Sequence, residues 1–384
     1  MKVKLCDAFD LQMGKTPSRN NLEYWNGGHK WVAIGDLGDT GKYISHTKEC
    51  ISDTGVAESG IKPVPAGTVI MSFKLSIGKT AITTEEIYTN EAIMAFIDKK
   101  VYPVDVNYIY HLFSGMDWSE GSNKAVMGIT LNKATLSQKT INIPDMNEQR
   151  SVAFTLDKLD DLISRRKQQL IKLDKLVKAR FVEMFGDPVL NPHDYPKYKL
   201  GELSLKISDG VHAKPEYVEK GRPFLSVVNI NKRKVDFTDC KFVSEEAYQK
   251  MIKSTHPQKG DILYTKVGAT YGIPAYIDTN REFCLYVSVC LIKPNHNLIN
   301  SKFLAFSMDM PYIKMQADTR IKGIGVPDLH LNQISEFDIL CPPRKMQDSF
   351  VSYVEHIERH ILTIQQSLDK LKMLKKSLMQ EYFG

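Results

Sequence analysis

The sequence predicts a mixed α/β (α+β) chain ordered as module, long helix, module, long helix, with approximate two-fold symmetry. Two observations carry this. Pro144, Gln149, Leu170, Leu173, Phe185 and Gly186 recur 198 residues later as Pro342, Gln347, Leu368, Leu371, Phe383 and Gly384. Each copy of that pattern is helical, and each follows a stretch of roughly 150 residues, ample for one globular domain. The expected boundaries are 1–144 for the first module, 145–186 for the first helix, 187–342 for the second module and 343–384 for the second helix.

Each helix declares itself by spacing. From Val152 the apolar positions run Val152, Leu156, Leu159, Ile163, Leu170, Leu173, Val177, Phe181 and Met184. The second series runs Phe350, Val354, Ile357, Ile361, Ile364, Leu368, Leu371, Leu378 and Tyr382. Steps alternating four and three, held over several heptads, are the spacing of a coiled coil. Arg166, Arg180 and Lys375 intrude on the seam. Asp145 and Glu148 have capping-box spacing, and Gly186 with Pro188 provides a stop. A helix from Val152 to Met184 is about 50 Å long. A module with a radius of gyration near ~15 Å could barely carry the chain back over that distance, so the two helices are expected to pair antiparallel.

Both modules read as many short strands. Phe224–Ile230, Asp261–Lys266 and Cys284–Ile292 are β-rich, and Glu245–Lys253 reads as a short helix. The first module repeats the order at an offset of 193: Trp31–Ile34 aligns with Phe224–Val227, and Ala66-Gly67-Thr68 with Lys259-Gly260-Asp261.

Composition narrows the class. The 384 residues are 42% hydrophobic and 25% charged, with a net charge of +6. That charge suits a polyanionic partner without requiring one. The six cysteines form no Cys-x-x-Cys pair, and scattered thiols are read as reduced. No apolar run is long enough for a membrane span. Residues 1–10 carry Asp7 and Asp10 where a signal peptide needs apolar residues, so the expected location is the cytoplasm.

Several motifs then carry a resemblance. Gly14-Lys15-Thr16-Pro17-Ser18-Arg19, with Glu23-Tyr24-Trp25 and Trp31-Val32-Ala33-Ile34-Gly35-Asp36-Leu37, resembles the opening of a target recognition domain in type I restriction–modification specificity subunits. So do Met71 to Lys79 and Gly260 to Gly268. Ile143-Pro144 to Gln149 and Cys341-Pro342-Pro343 to Gln347 resemble the entries to that family's spacer helices. The likeness covers essentially the whole chain. The second module departs from it, with Gly210-Val211-His212-Ala213-Lys214-Pro215 in place of the Thr-Pro-Ser opening.

The resemblance implies a non-catalytic reader of double-stranded DNA. Each target recognition domain would read half of a bipartite, asymmetric site, and the paired helices would set the spacing and dock two methyltransferase subunits. Restriction subunits would join the full complex. No cofactor is expected in this chain: S-adenosylmethionine belongs to the methyltransferase partner, ATP and Mg to the restriction partner. Adenine is the expected modified base. A two-module protein-binding adaptor and a stand-alone DNA-binding regulator are the alternatives.

Catalytic motifs are missing from the sequence. Gly14-Lys15-Thr16 and Gly78-Lys79-Thr80 mimic the end of a P-loop, but Phe9 and Phe73 stand where the first glycine is needed. Cys341-Pro342-Pro343-Arg344 lacks the amide or acid of an adenine methyltransferase tetrad. Pro144-Asp145 and Pro327-Asp328 are not followed by the Glu-x-Lys of a nuclease. His356 and His360 could share a metal at helical spacing, but no third ligand lies nearby in sequence, and they read as a solvated face.

DNA contacts are expected from cationic and amide side chains on loops. In the first module these are Lys15, Arg19, Lys74, Lys79, Asn123 and Lys124, the last two in a polar loop from Trp118. In the second they are Lys214, Arg222, Asn231, Lys232, Arg233, Lys266, Tyr271, Arg320 and Lys322.

Overall fold

A computed structural model describes the chain except residues 40, 75, 119–122, 126–127, 232 and 322–324. It divides into two units, Met1–Gln168 with Gln365–Gly384, and Gln169–Ile364. Each unit therefore holds one module and one half of each long helix.

The two helices are Met146–Phe185 and Arg344–Phe383, 40 residues each. The Asp145 carboxylate accepts the Glu148 amide at 2.9 Å, as the capping-box spacing predicts. Gly186 donates its amide to the Val182 carbonyl and ends the first helix. Within each unit the helix halves pack antiparallel. Lys375 pairs with Asp160 in the first unit, and Phe181 packs on Phe350 with centroids 5.5 Å apart in the second. Of the seam positions, Leu156, Leu159, Ile163, Val177, Ile357 and Leu368 are buried. Leu170, Leu173, Val354, Ile361, Ile364 and Leu371 are partly buried. Two seam intruders have local partners: Lys375 takes Asp160, and Arg180 lies over the Tyr353 ring and pairs with Glu183.

Module 1 contains a five-stranded sheet in the order Phe9–Met13, Ile93–Asp98, Val69–Ser72, Thr80–Thr83, Tyr43–Ile44. Module 2 repeats four of these as Ser204–Asp209, Val289–Pro294, Ile262–Thr265 and Pro274–Tyr276. A three-stranded sheet also recurs: Glu49–Ile51, Trp25–Val32 and Tyr88–Thr89 match Lys241–Val243, Arg222–Leu225 and Cys284–Leu285. In both copies the last pairing is parallel, Trp31 facing Tyr88 and Phe224 facing Cys284. The ends of each module are clasped together. Lys2–Lys4 pairs with Thr140–Asn142, and Lys197–Lys199 with Asp338–Leu340, so each module closes where its helix begins.

Gly67 and Gly260 both take positive φ, +70° and +98°, just before equivalent strands. That turn conformation strains any residue with a Cβ, which is why the aligned glycines recur. Two expected strands are interrupted. Phe224–Ile230 breaks into a short 3₁₀ turn at Val227–Asn229, because the Asn229 side chain accepts the Ser226 amide and donates to the Asp236 carbonyl. Cys284–Ile292 breaks at a turn in which the Val289 amide bonds the Tyr286 carbonyl, so its two halves serve different sheets. Apolar content alone could not reveal that change of sheet.

Each module core includes the helices. Leu156 and Leu159 join Phe9, Phe96 and Phe113 in the first, and Phe181 and Phe350 join Phe303 and Phe337 in the second. Among the described residues no helix is long and apolar enough to cross a membrane.

Candidate nucleic-acid interface

Seven of the predicted contact residues fall on two pairs of equivalent loops in the two modules. The first loop leaves the edge strand of each large sheet. Gly14 and Gly210 stand there, where an added Cβ would lie 2.2 Å from the Thr89 carbonyl oxygen or 2.1 Å from that of Leu285. Only glycine permits this crossing. The loop beyond carries Lys15 and Arg19 in module 1 and Lys214 in module 2. The second loop joins equivalent strands, and bears Lys74 and Lys79 in one module and Lys266 and Tyr271 in the other.

The side chains on these loops differ in freedom. Lys15 donates to the Ser59 carbonyl, Lys74 lies 5.3 Å from the Phe73 ring, and Lys214 lies 5.7 Å from the Tyr217 ring. With the described residues, Lys15, Lys74, Lys79 and Lys214 make no ion pair. Arg19 is held more firmly. Its guanidinium lies 3.9 Å from the Trp25 ring and forms a two-pronged pair with Glu49. That hydrogen bond raises the Arg19 pKa and lowers the Glu49 pKa.

Other predicted residues have internal partners. Arg222 bridges Glu245 and Glu282. Arg233, at φ +64°, reaches Asp309 at 2.6 Å and Asp174 on the first long helix. Lys266 is buried, with Asp209 at 3.6 Å and Asp328 at 3.5 Å. Arg320 donates to the Gln316 and Glu336 carbonyls, and the Tyr271 hydroxyl donates to Asp318. A cation already neutralised in place offers less to a phosphate. Lys232 and Lys322 lie outside the described residues. Of Asn123, Lys124 and Asn231 only the backbone is described, Asn123 and Lys124 in a hairpin with Gly128–Thr130. Trp118, at the start of the polar loop, is buried against Phe113 and donates its indole N–H to the Phe113 carbonyl, while residues 119–122 of that loop lie outside the described residues.

The sequence pattern singled out Gln149 and Gln347 without assigning them work. Both are buried. Gln149 Oε1 accepts the Asp105 amide at 2.8 Å while Nε2 donates to the Pro144 and Pro103 carbonyls. Gln347 Oε1 accepts the Asn300 amide at 2.9 Å while Nε2 donates to the Pro342 carbonyl. Asp105 and Asn300 are the N-caps of equivalent module helices, Val106–Gly115 and Ser301–Met308. Each glutamine therefore ties a spacer helix to its module through backbone groups, and leaves the loops free to vary.

A model of the type I restriction modification DNA specificity domain matches residues 1–174 and again 192–373. The chain belongs to that family. The two matches reproduce the duplication seen in the sheets. A specificity subunit of the type I restriction enzyme MjaIX from Methanocaldococcus jannaschii is 26% identical, covering 98% of this chain and 90% of that one. The EcoR124I/EcoR124II specificity subunit of Escherichia coli is 28% identical over 39% of this chain and 38% of its own length. Among solved structures, the specificity subunit from M. genitalium superposes with a TM-score of 0.57 at 16% identity, covering 100% of this chain and 96% of the other. A second, from work on complex assembly and conformational transition of the type I restriction–modification system, gives 0.61 at 15% identity, covering 100% and 97%. Identities this low establish the shared fold.

Proposed function

We propose that this chain is the address-giving subunit of a type I restriction–modification complex, each module reading one half of a bipartite, asymmetric site in duplex DNA. The observation that carries this reading is the family match to both halves of a duplicated scaffold. Equivalent loops on that scaffold bear different side chains, as two readers of different half-sites require. The exposed Lys15 and Lys214 and the half-buried Lys74 and Lys79 take phosphates, a contribution that weakens with salt. Arg19, aligned by Trp25 and Glu49, presents its remaining N–H edge toward a base or phosphate.

The chain itself is non-catalytic. Two methyltransferase subunits supply S-adenosylmethionine and flip the target adenine, and restriction subunits supply ATP and Mg chemistry, all in the cytoplasm. The spacer helices set the distance between half-sites. Adding seven residues to both lengthens each by about 10 Å and should lengthen the recognised spacer by a few base pairs with the half-sites unchanged. An unchanged spacer removes the ruler role.

The deciding experiment is genome-wide adenine methylation in the source strain and in a deletion of this gene. Loss of one split, asymmetric motif supports the reading. An unchanged methylome in a strain that expresses the partners overturns it.

A further inference from the structure

The second long helix carries a feature that DNA recognition does not use. His356 and His360 lie one turn apart on its exposed face, and their rings converge. Their Nε2 atoms are 3.2 Å apart, with ring centroids at 4.8 Å and planes at 78°. Two imidazole nitrogens on one zinc ion, each at about 2.0–2.1 Å, stand roughly 2.9 Å apart at a right angle and roughly 3.4 Å apart at a tetrahedral angle. The observed separation falls between these limits.

We infer that His356 and His360 form a two-histidine chelate for a borderline divalent cation, zinc, nickel or copper. In the metal-free chain Arg359 donates to His356 Nδ1 and one of the two Nε2 atoms donates to the other. On binding, each neutral ring offers its Nε2 lone pair with the proton moved to Nδ1, and both hydrogen bonds are given up. Imidazole pairs select such ions over magnesium and calcium, which prefer oxygen. Among the described residues, no group of three or more His, Cys, Asp and Glu side chains could hold a metal. Water, or a ligand from another macromolecule, completes the coordination. The nearby carboxylate of Glu355 is occupied by Lys302 at 2.5 Å. The Arg359 Nη2 atom, 3.5 Å from His356 Nδ1, sits on the side of that ring away from the chelating nitrogens. The helix backbone fixes the spacing before the ion arrives, so little ordering is left for binding to do.

The test uses the full-length chain, stripped of metal, with its accessible thiols blocked by alkylation, and titrated calorimetrically with copper, zinc or magnesium salts. The expected result is one strong site per chain for copper, a weaker one for zinc and none for magnesium. His356→Ala or His360→Ala should each weaken that site at least tenfold, because one imidazole is not a chelate. The exposed Ser352 is one turn before His356. Ser352→His added to His360→Ala should therefore restore the site at a new register. Single variants that bind as tightly as the unaltered chain, or a failure of that rescue, overturn the inference. Circular dichroism of each variant confirms that the exposed helix face tolerates the change.

Discussion

Module 1 and module 2 hold the spacer helices by the same backbone device and by different side chains. In both, a buried glutamine joins the helix start to the N-cap of a module helix. Beyond that the two diverge. In module 1, Asp157 on the first spacer helix receives Lys42 at 2.5 Å and His111 Nε2 at 2.7 Å. In module 2 the equivalent acid is Glu355, which receives Lys302, while Arg233 reaches the other spacer helix at Asp174. Counting from the N-caps, Tyr110 and His111 of module 1 correspond to Ala305 and Phe306 of module 2. Burial pushes the Tyr110 phenol up to about 12. In module 2 a groove of about 760 Å³ lies beside Ala305, Phe306, Phe350 and Val354. The difference teaches that a backbone amide at an N-cap has few ways to be satisfied, whereas a side-chain interface has many.

Seven substitutions, in four groups, sharpen this comparison. The largest effect is expected from Phe181→Ala, which empties an aromatic cluster formed with Phe185, Phe303, Phe306 and Phe350. It should cost about 3–5 kcal/mol. Hydrogen exchange should lose protection in module 2 ahead of module 1, and simultaneous loss would mean the units are not separately stabilised.

Next come Gln149→Ala and Gln347→Ala. Each strands a buried amide and should cost about 1–3 kcal/mol by urea denaturation. The two costs should agree within about 1 kcal/mol, and a large disparity would break the equivalence of the two joints.

A smaller effect is expected from acid. His111 is fully buried, and burial lowers its pKa despite the neighbouring Asp157. The unfolded chain then binds this proton more readily than the folded one. Stability is intact above the ordinary histidine value of 6.5 and falls as pH drops below it toward the folded value. His111→Phe, which copies module 2, should flatten the urea midpoint across pH 7 to 5. An unaltered slope would assign the acid sensitivity elsewhere.

The smallest effects on stability belong to the free cations. Lys79→Ala and Lys214→Ala should leave the urea midpoint within about 0.5 kcal/mol. Each should reduce the slope of log affinity against log salt by roughly one for the assembled complex on its DNA. Lys266→Ala should do the reverse, destabilising module 2 by leaving Asp209 and Asp328 facing each other, with a salt slope little changed.

Much of the scaffold was legible in the residues. Apolar spacing and the cap at Asp145 placed the first helix, and the 198-residue repeat placed the second. The recurrence of Gly67 at Gly260 aligned the sheets, because a backbone at positive φ restricts residue choice wherever the fold recurs. The apolar positions of the helix periodicity are all buried or partly buried.

Candidate contacts were less legible. A lysine looks the same in sequence whether it is solvated, like Lys214, or locked between two carboxylates, like Lys266. Its partners lie 57 and 62 residues away, and no local pattern records them. The sequence by itself determined the duplication, the helices and their caps, all set by short-range geometry. The tertiary structure alone decided which charges stay free, which glutamine oxygens meet which N-caps, and where module 2 leaves a groove. Those outcomes depend on contacts between residues far apart in the chain, which exist only once it has folded.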